Sequence, residues 1–142
     1  MIQFKLSSEQ KLIQESTKEF AQQYISPGVI VRDQNSTFPK SQIRKLGELG
    51  YMGMMIPSKW GGSDLDTISY VIAVEEIAAV ELATSTIMSV NNSLVCQVLN
   101  DFGTEQQKGK YLKSLASGKK LGAYCLSESQ SGSDASNITT TA

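Results

Sequence analysis

Tyr124-Cys125-Leu126-Ser127-Glu128-Ser129-Gln130-Ser131-Gly132-Ser133-Asp134-Ala135-Ser136 is the stretch on which the fold turns. An apolar run from Leu121 to Leu126 breaks here into short polar residues with a single glycine, Gly132, and a β-branched pattern resumes from Asn137 to Thr141. The pattern predicts a buried strand that delivers a loop of hydroxyls and open backbone N–H groups, and a second strand that leaves it. Such a loop suits a polar, planar or phosphate-bearing ligand, because amides and short hydroxyls can converge on it without bulky side chains intervening.

Upstream of that stretch the signals are helical. Ser7 and Gln10 have capping-box spacing, and Leu12, Ile13, Phe20 and Tyr24 share a face up to Ser26-Pro27-Gly28. Arg32 to Phe38 reads as a turn-rich link. Pro39 suits the first turn of a second helix, with Ile43, Leu46 and Leu49 as its apolar stripe and Gly50 as its left-handed cap. Tyr51 to Ile56 holds three methionines and predicts a buried crossing segment. Asp66 caps a third helix with Ile68, Val71, Ile72, Ile77 and Ala78 on its apolar face. A fourth, from near Ser85 to Phe102, carries Ile87, Val90, Leu94, Val98 and Phe102 at helical spacing. Asn91 and Asn92 are unusual in its middle, since their side chains compete with the backbone; lining a cavity and facing water fit the sequence equally. Thr104 and Gln107 cap a fifth helix that stops at Gly118. The expected fold is therefore all-α, a helical bundle over residues 1–118, ending in the first strands of a truncated β domain over 119–142.

Composition narrows the function. The chain has 142 residues, 40% hydrophobic and 19% charged, which is the balance of a globular domain. A net charge of −1 offers no footprint for nucleic acid and no polybasic membrane patch. Histidine is absent, which removes Ser-His-Asp and Cys-His catalysis from this chain along with the commonest metal ligand; no metal site is expected. Cys96 and Cys125 form no C-x-x-C pair and read as small buried hydrophobes rather than a disulfide. The N-terminal Met1 to Ser8 lacks the basic and apolar regions of a secretory signal, and no apolar run approaches the ~20 residues of a membrane span. A cytoplasmic protein is the expectation.

The tract from Tyr124 to Asp134 is similar to the flavin-binding signature of the acyl-CoA dehydrogenase family. Other landmarks resemble that family in order: Phe38-Pro39, Leu49-Gly50-Tyr51 with Gly53, Trp60-Gly61-Gly62, Glu75-Glu76-Ile77, and Phe102 through Lys108. The segment from Ile87 to Leu94 looks most like the short-chain, butyryl-CoA-type branch. The resemblance implies FAD as cofactor, an acyl-CoA thioester as substrate, oxidation to the trans-2-enoyl-CoA, electron-transfer flavoprotein as partner, and a homotetramer for the intact enzyme.

Carried onto these residues, the resemblance gives Ser127 the hydroxyl that hydrogen-bonds flavin N5, and backbone groups near Tyr124 and Leu126 the polar edge of the flavin ring. Gly132 and Ser133 fall near the cofactor and the CoA chain, with Ser133 as a substrate contact. Asp134 organises the loop. Ser129 stands where the family commonly has proline, a change worth about 0.4–1 kcal/mol of added chain entropy in the unbound loop. The family's catalytic glutamate does not map onto this sequence, so no catalytic residue is expected here, and neither Glu75, Glu76 nor Glu128 has a spacing that makes it a base. The chain alone is expected to be inactive. The competing readings are a non-catalytic helical interaction module and a related acyl-CoA oxidase or flavin monooxygenase. Acyl chain length is not decided by these residues.

Overall fold

A computed structural model describes residues 5–141; half of the stretch read for a secretory signal, Met1 to Phe4, lies outside the described residues. The chain opens on α1 (Ser8–Phe20), whose Ser7 and Gln10 exchange both bonds of the capping box, and continues as a widened π turn, Ala21–Ile25. The predicted inner face holds at Phe20, which is buried with Thr17, but Leu12 is 65% exposed. Phe20 stacks on Tyr51 at 5.9 Å, and Tyr51 Oη meets Thr17 Oγ1 at 2.9 Å, which ties α1 to the crossing segment.

The region read as a link contains a short helix, α2 (Val29–Gln34). It exists because Arg32 is held on both sides. Its guanidinium donates to Glu81 Oε1 at 2.9 Å, to Pro27 O at 2.8 Å and to Ile25 O at 2.5 Å. Tertiary pairing of one arginine, rather than local propensity, fixes this turn. Then α3 (Lys40–Glu48) follows Pro39 and ends at Gly50, which takes φ +83°. The crossing segment is buried as predicted: Met52, Met54 and Ile56 are all within 2% of full burial.

Asp66 caps α4 (Thr67–Ala78) by accepting from the Ser69 N–H, and that bond holds its carboxyl below the ordinary carboxylate value. The inward face is Ser69, Tyr70, Ile72, Ala73 and Ile77, while Ile68 and Val71, assigned to the core from the sequence, are more than half exposed. The long fourth helix forms over 82–102 as α5 (Leu82–Ser89), a π-helical stretch (Val90–Cys96) and α6 (Gln97–Phe102). Thr104 and Gln107 exchange the capping-box bonds that open α7 (Glu105–Gln107); a π turn (Lys108–Leu112) carries it into α8 (Lys113–Ala116).

The core has two parts. The larger joins α1, α3, α4 and α5 around Met52 and Met54; the smaller joins Ile56, Cys96, Leu112 and Ala116. At the exit from α8, Gly118 takes φ +68° and lies so close to Gly47 that an added Cβ would come within 2.7 Å of Gly47 Cα. Only glycine satisfies both demands, and this contact aims the chain out of the bundle.

The expected strands do not form among the described residues. Leu121 to Leu126 takes no regular secondary structure and pairs with no strand, and the one β-bridge joins Glu128 to Ser131. A segment without a partner strand has no sheet to bury it, so its apolar side chains stay open: Leu121, Tyr124 and Leu126 are each more than 40% exposed, not buried. Cys125 is exposed for the same reason, whereas Cys96 is buried and its thiol is pushed up to about 12 by desolvation.

Candidate functional site

The loop from Tyr124 to Asp134 is built around Glu128. Its carboxylate accepts from the backbone N–H of Thr139 at 2.9 Å and of Thr140 at 3.0 Å, and from Thr139 Oγ1 at 3.1 Å. Those bonds favour the charged form and hold the acid at about 2, well below the ordinary 4.5. Such a group is a poor proton acceptor near neutrality, so the geometry gives Glu128 a bracing role. The Glu128–Ser131 bridge closes the tip, and Ser131 Oγ donates to Asp134 O at 2.6 Å. Asp134 accepts from Ser136 Oγ through its carboxylate. Both acids in the loop are engaged by the residues that follow it.

What the brace leaves unused is informative. Ser127 is exposed and its hydroxyl has no hydrogen-bond partner among the described residues. The backbone N–H groups of residues 123–127 are likewise unpaired among the described residues. Gly132 and Ser133 are exposed, and a Cβ on Gly132 would meet nothing within 4 Å. Tyr124, Leu126, Ser127, Gly132 and Ser133 therefore lie on one continuous, open stretch with donors available, a donor set that fits a planar polar ring. They do not line any of the described pockets.

Sequence reasoning missed the support behind this stretch. Asn91 and Asn92 neither line a cavity nor face water; both are buried to within 1%. Asn92 Oδ1 accepts from Met54 N at 2.7 Å, and its Nδ2 donates to Tyr51 O and Met88 O. Asn91 Nδ2 donates to Met52 O at 2.7 Å and Leu115 O at 3.1 Å, and its Oδ1 accepts from Gly122 N at 3.0 Å. The π-helical widening at Val90–Cys96 lets two consecutive side chains turn inward together. The asparagine pair in mid-helix was the available signal, but the carbonyls of Leu115, Met52 and Tyr51 that it satisfies lie 24 to 41 residues away.

Leu94, Val98 and Phe102, which keep helical spacing in the sequence, are 41%, 41% and 84% exposed. Their spacing of four keeps them on one side of the 82–102 rod, so the apolar stripe exists but points outward. No helix of the described residues is long and apolar enough to cross a membrane.

Residues 7–119 match the family model described as acyl-CoA dehydrogenase, N-terminal domain. The short-chain specific acyl-CoA dehydrogenase of Clostridium acetobutylicum is 40% identical over 131 residues, covering 92% of this chain and 35% of that protein. Butyryl-CoA dehydrogenase from Megasphaera elsdenii superposes with a TM-score of 0.90 at 35% identity, over 98% of this chain and 37% of that one. An FAD complex of PigA superposes with a TM-score of 0.93 at 26% identity, over 99% of this chain and 37% of that one. The chain thus spans about a third of the length of the curated relatives it matches. With the family model matching residues 7–119 of the 142, the chain belongs to the acyl-CoA dehydrogenase family, matching its N-terminal domain.

Proposed function

We propose that this chain is the N-terminal part of an FAD-dependent acyl-CoA dehydrogenase of the short-chain type, which converts an acyl-CoA thioester to the trans-2-enoyl-CoA. The observation that carries the reading is the braced loop whose Ser127 hydroxyl and backbone amides remain unpaired. In this reading residues 1–118 are the helical domain and 119–142 begin the flavin-binding β domain. FAD, when bound, supplies the acceptor for the substrate's hydride. Ser127 donates its hydroxyl toward N5, where a donor stabilises negative charge as the ring is reduced. Backbone groups at Tyr124 and Leu126 hold the ring's polar edge. Gly132 keeps the approach open, and Ser133 meets cofactor and substrate. Glu128 holds this arrangement from behind and takes no proton.

No group in the chain serves as the catalytic base, so the purified chain is expected to turn over no butyryl-CoA with a dye acceptor. The outward stripe of Leu94, Val98 and Phe102 supports burial against further parts of the enzyme. Electron-transfer flavoprotein is the proposed partner. The pocket of about 160 Å³ bordered by Ile13, Leu49, Tyr51, Met54 and Leu65 supports that contact, being free of the charges that border the three larger grooves. A homotetramer and a cytoplasmic location complete the proposal.

The test is a flavin titration read by visible absorption. Binding with a shifted spectrum, blunted in Ser127→Ala, is expected. Equal binding and an identical spectrum in that variant would remove Ser127 from the site, and no binding at all would remove the half-site reading of this chain.

A further inference from the structure

We propose that Asn91 is a positioning residue for the flavin loop, acting through the Gly122 amide. This rests on the flavin reading of Ser127 given above. The loop hangs from the bundle by a series of contacts that ends abruptly. Gly118 lies against Gly47, Lys120 N donates to Ser114 O at 3.0 Å, and Gly122 N donates to Asn91 Oδ1 at 3.0 Å. Beyond Gly122 the backbone amides through Ser127 are unpaired among the described residues. The Asn91 bond is therefore the final backbone hydrogen bond to the helical core before the Ser127 hydroxyl, five residues on, among the described residues.

Two independent features make that tie stiff. Asn91 is fully buried, and its amide nitrogen is already fixed by Met52 O and Leu115 O, which leaves its carbonyl oxygen only one direction to point. Gly122 also lies flat on the 82–102 rod: a Cβ there would come within 2.4 Å of Val95 Cγ1. One side chain thus joins the crossing segment, α8 and the root of the loop. The bracing bonds of Glu128 shape the loop internally, but they do not connect it to the bundle. Its position relative to the bundle is set at Asn91.

The test uses the 142-residue chain, unlabelled for exchange and flavin binding and carrying a nitroxide on Cys125 for mobility alone. That thiol is exposed, whereas Cys96 is buried with its thiol held protonated, so labelling is selective. Asn91→Ala removes the tie. Gly122→Ala breaks the seat on Val95 without touching Asn91, and it decides the matter if Asn91→Ala does not fold. Each folded variant, with unchanged helical circular dichroism, is expected to show at least tenfold faster hydrogen exchange at residue 122, a more mobile Cys125 spectrum, and at least tenfold weaker flavin binding. Unchanged exchange and mobility in a folded variant would overturn the anchoring. Faster exchange with undiminished flavin binding would overturn the link to the flavin. If the unaltered chain binds no flavin, the reading of Ser127 fails instead, while exchange and mobility still decide whether Asn91 anchors the segment.

Discussion

The crossing segment at residues 51–56 and the loop at 124–134 are both irregular backbone, and they treat their polar groups in opposite ways. In the crossing segment the carbonyls of Tyr51 and Met52 and the amide of Met54 are all paired, each with an asparagine side chain of the 82–102 rod. In the loop the amides leading to Ser127 are open to the surroundings. Buried irregular backbone must find partners or lose several kcal/mol, so the first region recruits two buried amides to serve it. An exposed loop is under no such demand and can keep donors free. Internal satisfaction marks the scaffold, and spare donors mark the proposed site.

The contrast predicts that scaffold substitutions unfold the chain while loop substitutions leave it folded. The largest effect belongs to Arg32→Leu. It strands Glu81, which is only 8% exposed, and removes the donors to Ile25 O and Pro27 O. Breaking one side of a largely buried pair costs about 3–5 kcal/mol, to be read as a lowered denaturation midpoint with an unchanged slope. Next is Asn92→Ala, which leaves Met54 N, Tyr51 O and Met88 O without their side-chain partner. A loss of about 2–4 kcal/mol is expected by the same measurement. A loss below about 0.5 kcal/mol would mean that water replaces the side chain and that the segment is less enclosed than its burial indicates.

How far the sequence disclosed this architecture follows the range of each interaction. Both capping boxes, the Asp66 cap and the Gly50 and Gly118 stops depend on neighbours within a few residues, and each was legible. Short-range spacing also located the buried methionines. It failed where a distant group decided the outcome. The Arg32–Glu81 pair, 49 residues apart, makes a helix where the sequence reads as a link. Leu94, Val98 and Phe102 have helical periodicity but face outward, since periodicity reports an apolar stripe without naming what covers it. The predicted strands failed because a strand requires a partner, which the described residues do not supply. At the site, the motif located the loop, but nothing near Glu128 disclosed its bonds to Thr139 and Thr140.

Glu128 offers a way to loosen the loop while sparing the scaffold. Its acid is held near 2 in the folded loop against an ordinary 4.5, so its bracing is fully present above about 4.5 and is lost as pH falls through 2. The amide resonances of Thr139 and Thr140 are expected to move together over that interval, with Glu128→Gln showing no such titration. A transition centred near the ordinary value would show that the carboxylate does not hold those amides in solution.

The smallest effect on stability is expected at Ser127, and it is the sharpest test of the contrast. A scaffold hydroxyl such as Thr17, fully buried and bonded to Tyr51, contributes to folding through its partner. Ser127 has no partner within the described residues, so Ser127→Ala removes nothing that the folded chain uses. Its denaturation midpoint should stay within about 0.5 kcal/mol of the parent, while the absorption of bound flavin loses its shift. A destabilisation above 1 kcal/mol, the worth of about one net hydrogen bond, would show that the hydroxyl serves the fold. The division between satisfied scaffold and unsatisfied site would then fail at the residue where it matters most.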